Sequence, residues 1–310
     1  MMATTRATLG RTADGPSRAE EPRGAAPDAA LVGTTLVLGG TGKTGRRVTD
    51  RLAGRGLPFR VGSRSGEPPF DWEDPATWAP VLRGAASVYV TYYPDLAVPG
   101  AVEAVRSFAG LAVGSGVRRL VLLSGRGEDE AERTEAVVQE SGAEWTILRS
   151  NWFCQNFSES YLLPSVLSGE VVLPAGDVGE PFVDADDIAD VAVAALTEDG
   201  HAGMVYELSG PRPLTFADAV AEIAAATGRE IRYARVSPEQ YATALAEEGV
   251  PADYVWLLNY LFTTVLDGRN SRPADGVRRA LGRGPRDFAD YARDAATAGA
   301  WDVSAAPVPR

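Results

Sequence analysis

The sequence predicts an α/β protein with a doubly wound parallel sheet and a smaller C-terminal α/β lobe. Short apolar runs alternate with helix-periodic stretches from residue 34 to residue 149. Glycines and prolines separate these stretches at the expected turns. Beyond residue 150 aromatic residues become frequent before further strands and helices follow. Such alternation is typical of parallel sheets joined by right-handed helical crossovers.

The first predicted strand and helix enclose a glycine-rich loop, LVLGGTGKTG, at residues 36–45. Gly39 would permit a tight turn out of a buried strand, and Gly42 would let the backbone approach a pyrophosphate. Gly45 would let the helix pack close to the strand. The free N–H groups of the helix N-terminus favour bound phosphate. An ordinary glycine turn is the alternative, but the flanking strand and helix favour a dinucleotide-binding loop.

The second predicted strand, Phe59–Ser63, ends in Ser63 and Arg64 with no acidic residue. An NAD-binding fold commonly places an acid near this point to bind the ribose hydroxyl. A guanidinium and hydroxyls suit a 2′-phosphate instead. We therefore expect NADP(H) rather than NAD(H), the alternative being a surface arginine at a turn.

Three further predicted strands, at 87–91, 120–124 and 145–148, end in residues suited to a binding crevice, because ligands bind at the carboxyl ends of parallel strands. Thr91 and Tyr92 are expected beside the cofactor, and Tyr93 beside the substrate. Asp71 and Trp72 are expected to flank the adenine ring of the cofactor, with a place in the core as the alternative for Trp72.

The C-terminal half carries an aromatic segment and a series of capped helices. Trp152, Phe153 and Phe157 are candidates for positioning a substrate, and the faces of such rings also attract cations. The acidic cluster 184–187 is interpreted as a helix N-cap. An apolar helix at 253–266 is predicted to be buried, either as core or over a ligand. His201 lies in a polar loop and is expected to be exposed.

Composition limits the possible partners. The net charge of -12 argues against nucleic acid, which would require a basic face. One cysteine and one histidine exclude a zinc site built from these residues and favour the reducing cytoplasm. No apolar run is long enough to cross a membrane. We expect a small-molecule substrate and no metal; the oligomeric state stays open.

The chain is divided accordingly into four segments. They are a disordered leader at 1–32, an NADP-binding Rossmann core at 33–150, a substrate lobe interleaved with the core at 151–302, and a tail at 303–310. The leader lacks the apolar centre of a signal peptide.

Four motifs together resemble the NmrA-like group of atypical short-chain dehydrogenase/reductases. They are the loop GGTGKTG, the pair Ser63-Arg64, the segment EWTILRSNWF at 144–153, and FVD at 182–184 with DIA at 187–189. Within that group the chain is similar to bacterial relatives of ergot-alkaloid festuclavine/agroclavine synthases, and to NADPH-dependent quinone and azo-dye reductases.

The resemblance implies sets of cofactor and substrate residues. It implies that NADPH is held by Gly39, Thr41, Gly42, Lys43, Thr44, Gly45 and Arg64. It also implies that Ser124 and the segment from Asn151 to Phe153 face the nicotinamide and the substrate. Ser124 occupies the position of the catalytic serine of a short-chain dehydrogenase, with a simple strand-end hydrogen bond as the alternative.

One departure from the typical pattern decides the expected chemistry. Short-chain dehydrogenases use a Tyr-x-x-x-Lys pair on the helix after the Ser124 strand. Lys43 is the only lysine in the chain, and no tyrosine lies between Tyr93 and Tyr161. We expect an oxidoreductase that transfers hydride to an iminium or quinone-like acceptor without that pair. The alternative is a non-catalytic NADP(H)-binding redox sensor of the NmrA type.

Overall fold

The computed structural model of the chain describes residues 33–303. The expected leader, and the expected tail apart from Val303, lie outside the described residues. A sheet of six strands, in the order β2-β1-β3-β4-β5-β7, organises the fold. Every pair of neighbouring strands in it is parallel. Its strands are β1 Thr34–Leu38, β2 Phe59–Gly62, β3 Ala85–Val90, β4 Arg119–Gly125, β5 Glu144–Ser150 and β7 Met204–Leu208.

A second, two-stranded parallel sheet pairs β6 with β8 in the C-terminal half. Its strands are β6 Glu170–Leu173 and β8 Arg232–Arg235. Twelve α-helices connect or cover the strands of the described chain. They are α1 Lys43–Gly54, α2 Trp78–Leu82, α3 Ala101–Gly114, α4 Asp129–Gln139, α5 Asn156–Glu159, α6 Leu163–Ser168, α7 Ala185–Thr197, α8 Phe216–Thr227, α9 Pro238–Glu247, α10 Ala252–Tyr260, α11 Gly276–Leu281 and α12 Phe288–Thr297.

Helices cover both faces of the large sheet, which confirms the doubly wound prediction. Side chains alternate along each strand, so Leu36 and Leu38 contribute to one core layer and Val37 to the other. Helices α2, α3 and α4 pack on the first face, whereas α1, α7 and α11 pack on the second. Strand order reverses beside β1, since β2 lies on one side of it and β3 on the other.

A third apolar core holds the smaller C-terminal lobe together. It joins the β6–β8 sheet to helices α6, α8 and α12, and its interior is aromatic. Phe157 and Phe216 are each fully buried there. After β6 the polypeptide returns to the large sheet through α7 and β7. The segment after residue 150 therefore contributes elements both to the large sheet and to the smaller C-terminal lobe.

Two local predictions need correction. The helix predicted to be buried at 253–266 consists of α10 followed by a π-helical turn, Leu261–Val265, and Trp256 on it is 48% exposed. His201 is buried rather than exposed, because its Nδ1 lies 2.9 Å from the hydroxyl of Tyr206. None of the helices in the described region is long and apolar enough to cross a membrane.

Candidate functional site

A cavity of about 710 Å³ opens at the carboxyl edge of the large sheet. Its walls come from the segments that follow β1, β3, β4 and β5, and α10 closes one side. This is the edge at which open parallel sheets bind ligands, next to the reversal of strand order. Ten of the residues predicted from the sequence line it: Thr41, Gly42, Lys43, Thr91, Tyr92, Tyr93, Ser124, Asn151, Trp152 and Phe153.

The glycine loop after β1 has the geometry expected of a phosphate cradle. Gly39 adopts a φ of +61°, and a Cβ there would lie 2.6 Å from Oγ1 of Thr91. A Cβ on Gly45 would lie 2.2 Å from the carbonyl oxygen of Gly39, so α1 packs directly against the loop. Gly42 differs, since its added Cβ would meet only that same oxygen, at 3.2 Å. Gly42 therefore leaves bare backbone facing the cavity.

Helix α1 begins beneath the cavity with its N-terminus open. Gly42 provides no side-chain cap, and no acidic residue stands in the first turn. The unpaired N–H groups and the helix dipole favour an anion at this point. Thr44, in the first turn of α1, is buried and does not line the cavity.

Lys43 adds the single lysine of the chain to this end of the cavity. Its Nζ donates to Oδ1 of Asn156 at 2.9 Å and to Oγ of Ser160 at 3.0 Å, and lies 5.7 Å from the centre of the Phe153 ring. Burial lowers the pKa of Lys43 to about 8, although Glu159 opposes the shift. A desolvated ammonium with neutral partners suits an incoming phosphate.

The predicted 2′-phosphate residues lie at the end of β2, outside the cavity wall. Arg64 is exposed and forms no ion pair with any residue between 33 and 303. Oγ of Ser63 lies 3.5 Å from Oγ of Ser65. The guanidinium of Arg64 is therefore free to bind an anionic group of a ligand that lies along the carboxyl edge of the large sheet.

Asp71 and Trp72 have structural partners instead of facing the cavity. The indole N–H of Trp72 donates to the carbonyl of Thr91 at 3.0 Å, and its ring packs among Phe70, Trp78, Phe108 and Tyr92. The carboxylate of Asp71 accepts the backbone N–H of Glu73. Of the two interpretations of Trp72, the structure favours the aromatic core.

Ser124 lies in the cavity wall, but its hydroxyl points to a structural partner. It donates to Oε1 of the buried Glu135 on α4 at 2.6 Å. Arg149 also binds Glu135, through Nε and through its NH2 group at 2.6 Å. The hydroxyl proton of Ser124 is thus committed to a carboxylate on the helix side of β4.

Some side chains of the aromatic segment after β5 line the cavity, and others are buried in the core of the C-terminal lobe. Trp152 and Phe153 are partly buried and line the cavity. The ring of Trp152 packs on Phe262 with centroids 4.8 Å apart. The prediction for Phe157 was wrong: its side chain is fully buried among Phe182, Phe216 and Phe288 and does not line the cavity.

Asn151 is fixed by two partners. Its Nδ2 donates to Oε1 of Glu180 at 2.6 Å, and its Oδ1 accepts a hydrogen bond of 3.1 Å from Arg126. Glu180 also accepts the backbone N–H of Trp152, and burial raises the pKa of Glu180 to about 7. These bonds hold the segment after β5 in place. Because both polar atoms of the Asn151 side chain already form hydrogen bonds, Asn151 contributes to the cavity wall but has few hydrogen-bonding positions left for a ligand.

Sequence reasoning missed several residues that line the same cavity. Arg46 extends from α1 and pairs with Glu159 at 2.6 Å. Asp95 and Glu128 supply carboxyl groups on the wall after β3 and β4, and Tyr254 and Leu257 come from α10. The helical spacing of α10 indicated burial but not what the helix covers. Asp95 and Glu128 follow different strands, so no local pattern in the sequence indicates that they share a wall.

Comparison with known proteins gives consistent relatives over most of the chain. The chain is 32% identical over 279 residues to agroclavine dehydrogenase of Claviceps fusiformis, covering 84% of this chain and 96% of that protein. It is 30% identical over 284 residues to an NAD(P)H azoreductase of Xenophilus azovorans, covering 85% and 98%. No family model matches the chain.

Solved structures share the fold at lower identity. An NADPH-dependent quinone oxidoreductase of Escherichia coli, complexed with NADPH, superposes with a TM-score of 0.71 at 22% identity, covering 84% of this chain and 99% of that one. The negative transcriptional regulator NmrA superposes with a TM-score of 0.64 at 17% identity, covering 86% and 96%.

The fold, the glycine loop and the extent of these similarities agree with one another. The chain belongs to the family of NAD(P)-binding oxidoreductases that includes agroclavine dehydrogenase and the NAD(P)H azoreductase, and it shares its fold with the quinone oxidoreductase and with NmrA.

Proposed function

We propose that this chain is an NADPH-dependent reductase that delivers hydride to a small electrophilic acceptor, an iminium or quinone-like compound, without a Tyr/Lys pair. One observation carries the proposal: a single cavity connects the glycine loop after β1 with the aromatic segment after β5. A cofactor on the loop and an acceptor against the aromatic wall would therefore meet in one space. In this proposal residues 33–150 hold the cofactor and residues 151–302 supply most of the acceptor site.

The residues around the loop fit the phosphates of NADPH. Gly42 leaves the backbone accessible, α1 presents an N-terminus without acidic residues, and Lys43 adds a cation. Arg64 is placed to bind the 2′-phosphate that distinguishes NADPH from NADH. When bound, NADPH supplies hydride from its nicotinamide ring.

The choice of acceptor follows from the positions at which short-chain dehydrogenases hold their catalytic serine, tyrosine and lysine. A ketone becomes an alkoxide when hydride arrives, and an alkoxide needs a proton donor or an oxyanion site. Helix α4, with the sequence DEAERTEAVVQ, contains neither tyrosine nor lysine. The hydroxyl of Ser124 is committed to Glu135. An iminium carbon needs no proton on reduction, and a reduced quinone takes one from solvent.

The chain's own residues then have mainly a positioning role. Trp152 and Phe153 present aromatic surface to the acceptor, and Asn151 holds this segment through Glu180 and Arg126. Correct placement of the reacting atoms alone lowers a barrier substantially. The names of the relatives, a dehydrogenase of agroclavine and an azoreductase, support reduction of conjugated nitrogen compounds or comparable acceptors.

The experiment is NADPH oxidation by the purified chain against a panel of cyclic iminium ions, quinones, azo dyes, enals and simple ketones. We expect turnover with iminium ions or quinones and very little with simple ketones. Binding of NADPH and NADP without turnover of any acceptor would contradict the proposal and favour the redox sensor.

A further inference from the structure

Two carboxyl groups meet on the wall of the cavity, in the segments that follow β3 and β4. Asp95 lies between β3 and α3, and Glu128 lies at the N-cap of α4; both line the cavity. Glu128 is only 7% exposed. A carboxylate at a helix N-cap ordinarily accepts a hydrogen bond from the first turn. The side chain of Glu128 makes no such bond.

The side chain of Glu128 turns back from the helix toward Gly125, whose lack of a side chain leaves space for it. A Cβ on Gly125 would lie 1.9 Å from Oε1 of Glu128, so the carboxyl occupies the space that any other residue at 125 would fill. The other oxygen, Oε2, is buried and accepts no hydrogen bond from the ordinary donors of residues 33–303, so its available partner is a proton held between the carboxyls of Glu128 and Asp95. Once both carboxyls are ionised, this buried oxygen lacks a donor, which is costly unless a cationic ligand compensates its charge.

Neither member of the pair is neutralised by a basic residue. No ion pair within the described part of the chain includes Asp95 or Glu128. Arg126, also on the cavity wall, is bonded to Glu207 at 3.0 Å and to Asn151. Lys43, also on the cavity wall, donates to Asn156 and Ser160.

Most of the remaining groups around the pair are acidic or aromatic, and the nearby Arg269, which donates to the carbonyl of Gly127, is paired with Asp267. Glu130 and Glu135 on α4 add negative potential around Glu128. Tyr260 donates to Oε2 of Glu130 at 2.7 Å. The hydroxyl of Tyr254, on α10, donates to that of Tyr93 at 3.0 Å, and their ring centroids are 6.3 Å apart. Aromatic faces and carboxylates together favour an organic cation.

We propose that Asp95 and Glu128, flanked by Tyr93 and Tyr254, bind the positive charge of a cationic organic acceptor such as a cyclic iminium ion. The inference rests on the proposed function, because it takes this cavity as the acceptor site, and it selects iminium-like cations over neutral quinones as the preferred substrates.

The pair also predicts how binding depends on pH. Burial, together with the carboxyl of Asp95, raises the pKa of Glu128 well above its usual range, and burial raises the pKa of Asp95 as well. Two neighbouring carboxyls whose pKa values are raised in this way favour holding one proton between them. An incoming cation favours the form with both groups ionised, so one proton leaves as the cation binds. Affinity for the cation should therefore rise with pH.

The test measures binding to the full chain saturated with NADP, which holds no transferable hydride. The probes are N-methylquinolinium and its neutral isostere 1-methylnaphthalene, titrated at several pH values on both sides of neutrality. We expect the cation to bind at least about tenfold more tightly than the isostere and its affinity to rise by up to about tenfold per pH unit. Equal affinities for the two probes would overturn the proposal.

Two variants locate the effect. Glu128→Gln keeps the shape of the side chain and should lose about tenfold or more in cation affinity, together with the pH dependence, while the isostere binds as before. Asp95→Asn should do the same and serves if the first variant does not fold. Asp129→Asn removes the adjacent exposed carboxylate on α4 and should change neither probe. Retention of the pH dependence in Glu128→Gln and Asp95→Asn would contradict the proposal.

A parallel assay separates this inference from the proposed function. NADPH oxidation with the neutral quinone menadione does not depend on a cation site. If menadione is reduced but the two probes bind equally, the carboxyl pair is wrongly assigned and the reductase stands. If neither menadione nor any iminium ion is reduced while the quinolinium cation still binds preferentially, the reductase fails and the cation site remains.

Discussion

Ser124 donates its hydroxyl proton to Glu135 across 2.6 Å, and the same carboxylate is bound by Arg149. The serine at the end of β4 is therefore tied to helix α4. A buried carboxylate with a hydroxyl and a guanidinium as donors is well satisfied. The bond fixes α4 against the sheet, and through it the start of the helix where Glu128 stands.

Replacement of this serine should affect stability more than catalysis. Ser124→Ala removes a hydrogen bond to a charged group, which is worth about 1.5–3 kcal/mol in the free energy of unfolding. We expect kcat to fall by less than about tenfold, since loss of a true general acid costs about 100-fold or more. Urea unfolding and steady-state kinetics with the best acceptor measure both effects. Abolished turnover in a stably folded variant would reveal a proton relay through Ser124.

Cofactor choice depends on Arg64. Arg64→Ala should weaken binding of NADPH by about 1.5–3 kcal/mol, or roughly 10–150-fold in Kd, because a charge-assisted contact to the 2′-phosphate is lost. Binding of NADH should change little. Arg83→Ala, which removes another exposed arginine, provides the matched control. Equal affinity of the unaltered protein for NADPH and NADH, measured by fluorescence titration, would show that Arg64 does not select the cofactor.

The glycine loop permits an unusually clean substitution. Gly42 has a φ of -83°, which any residue can adopt, and its added Cβ has only one contact within 4 Å. Gly42→Val should therefore fold while its side chain blocks the approach of the pyrophosphate. Gly54→Ala, in open space at the end of α1, is the control and should bind NADPH normally. A folded Gly42→Val protein with unchanged NADPH affinity would mean that the phosphates lie elsewhere.

Lys43 makes the affinity for NADPH depend on pH. Because burial lowers its pKa to about 8, the ammonium of the free protein loses its proton as the pH rises through that value. Attraction for phosphate is present below about pH 8 and should decline above it. Lys43→Arg keeps the charge and should bind NADPH with little pH dependence over this range. Lys43→Met should bind weakly at every pH. An unaltered protein whose Kd is constant through pH 8 to 9 would contradict this role.

The parts of the fold that rest on local patterns were predictable. The tight turn at Gly39 and the close packing at Gly45 each involve neighbours in sequence, and the structure confirms both. Asp184 also accepts the N–H of Asp186, as a helix cap should. The doubly wound parallel sheet followed from the alternation of predicted strands and helices.

The site was less predictable, because its contacts join distant segments. Ser124 and Glu135 sit on adjacent elements, and the sequence does not show which way either side chain points. Phe157 and Trp152 belong to one aromatic segment, yet core and cavity wall use the same residue types, so composition could not separate them. The position of the Glu128 carboxyl depends on the space beside Gly125, which the sequence does not show.

The most direct test of the reductase is the fate of the hydride. NADPH carrying deuterium at the transferable position of the nicotinamide C4 would be mixed with the full chain and a cyclic iminium ion, and the amine product examined by mass spectrometry. The account predicts that deuterium appears on the former iminium carbon, in amounts equal to the NADP formed. An amine without deuterium, or no amine although NADPH is bound, would contradict direct hydride transfer in this cavity.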